Sequence, residues 1–188
     1  MSDEPLRVAV IVGSTREGRF GGAVARWFVG RARRRAGFTV DEIDLAELDL
    51  PFVYPAEPDE RVRRYVERID RADAFVVVTP EYNHGYPASL KQAIDLPRGE
   101  WRRKPVAFVS YGGIGGGLRA VEQLRQLFPE LHAMTIRDVV SFHHPSRWFD
   151  DDAVPLDEEG CNTAVEVMLD DLAWWGEALR RARKELGR

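Results

Sequence analysis

Two hydrophobic periods alternate along this chain. Val8-Ala9-Val10-Ile11-Val12 is an uninterrupted apolar run stopped by Gly13, the composition of a strand covered on both faces. Ala23, Val24, Trp27, Phe28 and Ala32 then recur at helical spacing and predict a helix from about Gly21 to Ala36, with Gly37 as its stop. Phe38 to Leu45 alternates apolar and polar residues, as a second strand nearer a sheet edge would. Leu50 to Pro58 is proline-rich and reads as a surface loop. Asp59 is placed to cap a helix through Arg71 whose inner face carries Val62, Tyr65, Val66 and Ile69. Ala74 to Thr79 is a third strand, and Pro87 sits where the first turn of a helix containing Leu90, Ala93 and Ile94 begins. Pro105 to Ser110 gives a fourth strand followed by a helix to Leu127, His132 to Ser141 a fifth strand, and Glu159 to Lys184 a long closing helix. The repeated strand and helix steps predict one doubly wound α/β domain over residues 1–188, with a five-stranded parallel sheet and helices on both faces.

In such a sheet, ligands bind outside the carboxyl ends of the strands, where strand order reverses. The order 2-1-3-4-5 would bring the loops after strands one, three and four to one crevice. The first loop, Gly13-Ser14-Thr15-Arg16-Glu17-Gly18-Arg19-Phe20-Gly21-Gly22, joins a strand end to a helix start, where free N–H groups and the helix dipole favour an anion. Its glycine spacing resembles a triphosphate-binding loop. Arg19 and Phe20, however, stand where that loop needs Lys and then Ser or Thr. No Gly-x-Gly-x-x-Gly follows the strand either. A hydroxyl- and arginine-rich loop suits a terminal monophosphate such as that of FMN; a plain turn with solvated arginines is the alternative. The second loop offers Tyr82 and Asn83 behind the rigid Pro80. In the third, Gly112 to Gly117 let backbone approach a planar ligand, although such glycine runs also occur in loops that bind nothing.

Composition narrows the function. The 188 residues carry 27 Lys and Arg against 31 Asp and Glu, a formal net charge of −4, and so lack the basic balance of a nucleic-acid or anionic-membrane binder. Cys161 is the one cysteine, which excludes an internal disulfide and a cysteine metal cluster. The polar start and the lack of a bilayer-spanning apolar run point to a cytoplasmic protein. The arginines Arg31 and Arg33 to Arg35 read as cations favoured at a helix end. Glu81 reads as a loop-fixing carboxylate rather than a catalytic one. No metal site is expected at His84 or at His143 and His144, and Cys161 has no basic neighbour to activate it. Trp174 and Trp175 read as core or subunit contacts; Trp101 and Trp148 are expected to be exposed.

Three blocks, Gly13-Ser14-Thr15-Arg16, Thr79-Pro80-Glu81-Tyr82-Asn83 continuing through Pro87, Leu90-Lys91 and Ala93-Ile94-Asp95, and Ser110-Tyr111-Gly112-Gly113, resemble the NADPH-dependent FMN reductase family in order and spacing. That flavodoxin-like group includes soluble quinone, azo-dye and chromate reductases. The resemblance implies FMN with its phosphate in the first loop, near Ser14, Thr15, Arg16, Arg19, Phe20 and Gly21. It places Pro80, Glu81, Tyr82 and Asn83 beside the ring, with Ser110, Tyr111, Gly112 and Gly113 lining the third loop. It further implies NADPH or NADH as donor, a small-molecule electron acceptor, a homodimer or homotetramer, and no dedicated catalytic side chain. This chain departs from the family at Arg19, where many members carry Ser, and at Gln92, where many carry Asn. Preference for NADPH would need a cation at the outer pocket, for which Arg19, Arg98, Arg102, Arg103 and Lys104 are candidates.

Overall fold

The computed structural model describes residues 4–150 and 152–187. Five strands, β1 (Leu6–Val12), β2 (Phe38–Asp44), β3 (Ala74–Pro80), β4 (Pro105–Gly112) and β5 (Met134–His143), form one parallel sheet in the order β2-β1-β3-β4-β5. The helices are α1 (Gly21–Arg34), α2 (Leu45–Leu48), α3 (Glu60–Arg71), α4 (Ala88–Asp95), α5 (Leu118–Glu130) and α6 (Glu158–Leu186). This is the flavodoxin-like arrangement expected from the sequence.

Side-chain alternation in β1 sorts the core into two layers. Val8, Val10 and Val12 face α1 and α6, where Val24, Phe28, Val165 and Leu172 pack. Ala9 and Ile11 face the layer of α3, α4 and α5, with Tyr65, Ile69, Leu90, Leu124 and Phe128. Both faces are dry, so β1, β3 and β4 are apolar almost throughout, whereas β2 at the edge alternates. Asp59 caps α3 by accepting the Val62 N–H at 3.0 Å.

Trp101 departs from expectation. It is fully buried rather than exposed, lying 4.5 Å from Phe75 and 5.5 Å from Phe128 between ring centroids, and its Nε1 donates to the Ile94 carbonyl at 3.0 Å. Trp148 is 39% exposed. Trp175 packs against the core, and Trp174 lies outside it at 63% exposure, edge-on to its neighbour.

Candidate functional site

The loops after β1, β3 and β4 meet at one rim of the sheet. Ser14, fully buried at the end of β1, shares a 2.7 Å hydrogen bond between its hydroxyl and that of Tyr82, which follows β3. The Glu81 N–H donates to the Tyr111 carbonyl at 2.9 Å and so ties the second loop to β4. Ser89 Oγ donates to the Gly13 carbonyl at 2.9 Å and fastens α4 under the first loop.

The first loop is a cradle of unused donors. Gly13 is held by its N–H to the Val78 carbonyl, and a tight turn from Arg16 to Arg19 places Gly18 at φ +64°. Among the described residues, the backbone N–H groups of Ser14, Thr15, Arg16, Glu17, Gly18, Phe20, Gly21 and Gly22 meet no acceptor. Those of Gly21 and Gly22 lie in the first turn of α1, at its positive end. Beside them the Tyr111 hydroxyl is buried without a hydrogen-bond partner, against Gly21, where a Cβ would collide with it. Burial, followed by the nearby Tyr82, pushes the Tyr111 pKa up, so the group stays a neutral donor. Unfilled donors around a dipole end fit a phosphate, and hence the phosphate of FMN.

The arginines of this loop divide. Arg16 is exposed, and its side chain makes no hydrogen bond or ion pair among the described residues. Arg19 is pinned: Nη1 donates to Asp44 Oδ1 at 2.6 Å and to the Ser14 carbonyl, and Nη2 to Asp44 Oδ2. Hydrogen bonding to Asp44 raises its pKa further, so the guanidinium remains charged. Thr15 lines a cavity of about 290 Å³ with Leu45, Asp49, Phe52, Ser89 and Gln92. Phe20 turns its ring away from the cradle onto Phe149, at 5.6 Å.

The second loop is a two-residue reversal in which the N–H groups and carbonyls of Tyr82 and Gly85 exchange bonds of 2.8 and 3.0 Å. Asn83 and His84 both have positive φ, +50° and +70°, as the centre of a type I′ turn requires. Gln123 holds it by donating to the His84 carbonyl at 2.9 Å.

In the third loop the chain folds back on β4. Gly116 and Gly117 have φ +57° and +87°, and a Cβ at Gly117 would lie 2.7 Å from Ser110 Cβ. The hydroxyls of Ser110 and Ser141 both donate to the Gly116 carbonyl, at 2.9 and 2.8 Å. Glu81 is committed here: its carboxylate accepts from Arg119 Nη1 at 2.6 Å and from the Arg119 N–H at 3.2 Å. It is a loop-fixing group, as read from the sequence. Gly112 and Gly113 remain accessible.

Four of the five cations offered for an outer pocket lie elsewhere. Arg98, Arg102, Arg103 and Lys104 precede β4 and therefore sit at the amino-terminal edge of the sheet, opposite the three loops. Lys104 is buried, with Nζ donating to the carbonyls of Ile69 and Asp70 at the end of α3. Among the described residues no group of three His, Cys, Asp or Glu is placed to hold a metal, and no helix is long and apolar enough to cross a membrane. Cys161 is buried, which raises its pKa, with Asp157 adding to the effect. Sequence reading missed Asp44, Arg119, Gln123 and Ser141; of these, only the strand-end position of Asp44 offered a signal.

Sheet order and rim together define a flavodoxin-like flavoenzyme. Residues 6–146 match the family described as NADPH-dependent FMN reductase. An NAD(P)H-dependent FMN reductase of Schizosaccharomyces pombe is 38% identical over 122 residues, 59% of this chain and 60% of that protein. One from Saccharomyces cerevisiae is 33% identical over 153 residues, 71% of this chain and 79% of its own. A quinone reductase of Escherichia coli is 37% identical over 144 residues, 71% and 74% of the two chains. In three dimensions the chain is similar to the flavoenzyme NAD(P)H:(acceptor) oxidoreductase of Paracoccus denitrificans, with a TM-score of 0.75 and 26% identity over 92% of this chain and 98% of the other. The chain belongs to the NADPH-dependent FMN reductase family, and its class is that of the FMN-dependent NAD(P)H oxidoreductases.

Proposed function

We propose that the chain acts as a single domain that oxidises NADPH or NADH on bound FMN and passes two electrons to a quinone, free flavin or similar small acceptor. In this reading Ser14, Thr15 and Arg16, the backbone of Arg19, Phe20 and Gly21, and the Tyr111 hydroxyl hold the FMN phosphate. Pro80, Glu81, Tyr82 and Asn83 flank the ring, and Ser110, Gly112 and Gly113 shape its far wall. The observation that carries it is the 2.7 Å bond from Ser14 to Tyr82, which joins a donor cradle to the ring-side loop in one site. When bound, FMN supplies the redox chemistry, accepting a hydride from the nicotinamide and releasing two electrons to the acceptor. The protein orients and polarises. The start of α1 would hold the phosphate, and free backbone N–H groups of the glycine loop would stabilise the negative charge that FMN gains on reduction. Glu81, tied to Arg119, braces the third loop against the second.

The purified protein is expected to be yellow, to bleach on anaerobic addition of NADPH and to regain colour with a quinone. Initial-rate plots in the two substrates should be parallel, since both use one ring face in turn. A protein that stays colourless after added FMN overturns the reading, and a yellow one that NADPH does not bleach makes it an electron carrier instead.

The same reading includes a cytoplasmic homodimer. Its support is an apolar strip, Phe52 (83% exposed), Val53 (76%) and Tyr54 (53%), contiguous with the cavity beside Thr15. Phe52→Glu should shift the protein to monomer in light scattering; an unchanged mass would place any interface elsewhere.

A further inference from the structure

Arg19 and Asp44 form a closed unit at the edge of the phosphate loop. Both oxygens of Asp44 are taken by the guanidinium, and the two side chains are 19% and 14% exposed. Asp44 has no freedom to withdraw. It ends β2 opposite Val12, the residue that leads into the first loop, and its Oδ1 also accepts the Ala46 N–H that opens α2 at 3.0 Å. An uncompensated carboxylate fixed one strand from the cradle would repel any phosphate placed there. The guanidinium spends both Nη1 protons and one Nη2 proton on that carboxylate and the Ser14 carbonyl, while the Arg16 side chain makes no hydrogen bond or ion pair among the described residues and is left for direct contact.

We propose that Arg19 is a positioning residue that gives the site its preference for FMN over riboflavin by neutralising Asp44 and holding the Ser14 carbonyl, without itself binding the phosphate. The inference rests on the placement of the FMN phosphate proposed above. Arg19 is then a device of this chain: its charge is required because Asp44 is charged, and removing both charges together is nearly silent.

The test is a double-mutant cycle on flavin-stripped protein, with FMN and riboflavin titrated separately by fluorescence into wild type, Arg19→Gln, Asp44→Asn and the double variant. The side-chain amide introduced by Asp44→Asn keeps an oxygen for the Ala46 cap, so this change preserves the local fold. Arg19→Gln is expected to weaken FMN by about 10- to 100-fold, with riboflavin changed by no more than about twofold. The double variant should bind FMN within about twofold of wild type, because Asp44→Asn removes the carboxylate that Arg19→Gln uncovers. Arg19→Lys, which keeps the charge, should retain most of the affinity and provides the measurement should Arg19→Gln fail to fold. A double variant that stays as weak for FMN as Arg19→Gln would mean that Arg19 contacts the phosphate itself, and overturns the proposal. So would equal losses for FMN and riboflavin, which mean a collapsed loop. A wild type that binds the two flavins equally fails in a different way: it removes the phosphate site itself, and the proposal with it.

Discussion

Replacing Trp101 by alanine costs the fold about 3–5 kcal/mol, the usual range for emptying a large aromatic from a packed interior. The indole has no exposed surface, touches the rings of Phe75 and Phe128, and spends its one donor on the Ile94 carbonyl. It therefore ties the sheet, α4 and α5 at the amino-terminal edge. Domains are commonly stable by only about 5–15 kcal/mol, so this one substitution removes a large share. With a slope of about 2 kcal/mol per molar urea, the unfolding midpoint should fall by about 1.5–2.5 M. Trp101→Phe keeps most ring contact and gives up the hydrogen bond, for a loss of about 1–2 kcal/mol. The flavin rim lies at the other edge, so FMN affinity of the folded Trp101→Ala protein should equal that of wild type. A midpoint that does not move would mean that Trp101 packs on the surface, as the sequence alone suggested.

That misreading shows where sequence patterning runs out. Strands buried on both faces announce themselves by uninterrupted apolar runs, and β1, β3 and β4 were legible for that reason. Trp101 stands in a polar, turn-like stretch between Glu100 and Arg102, and only the neighbouring layers show that it points inward. The sequence pattern ends β5 two residues early. The register of this strand breaks against β4, and the freed carbonyls of Ile136 and Arg137 are satisfied by Arg125, from α5. A hydrogen bond supplied by another element leaves no periodic trace. The rim followed the same division. Its three loops were visible as runs of glycine, hydroxyl and proline at strand ends, and the role of Glu81 was foreseen, but its partner Arg119 was not. Whether Arg19 faces a phosphate or a carboxylate depends on β2 lying beside β1, a fact of strand order rather than of local sequence.

Tyr111→Phe is expected to make the flavin-free protein more stable and the flavin complex weaker. The hydroxyl is buried without a partner, and such a group costs about 1–3 kcal/mol relative to a matched apolar one. Phenylalanine removes the cost and keeps the ring, which packs in the layer of α1 and α6. The chain accommodates that unsatisfied oxygen only because residue 21 is glycine, since a side chain there would collide with it. A cost carried in the empty protein and relieved by a ligand increases binding affinity: if the FMN phosphate accepts this bond, about 1–2 kcal/mol is recovered on binding. The substitution should therefore raise the melting temperature of the stripped protein by a few degrees, about 2–4 °C per kcal/mol at this size. It should weaken FMN by about 5- to 30-fold while leaving riboflavin unchanged. The opposite signs of the two effects are the diagnostic, because a merely structural tyrosine would lower both stability and affinity. A less stable stripped protein, or equal weakening of FMN and riboflavin, would take Tyr111 out of the phosphate site.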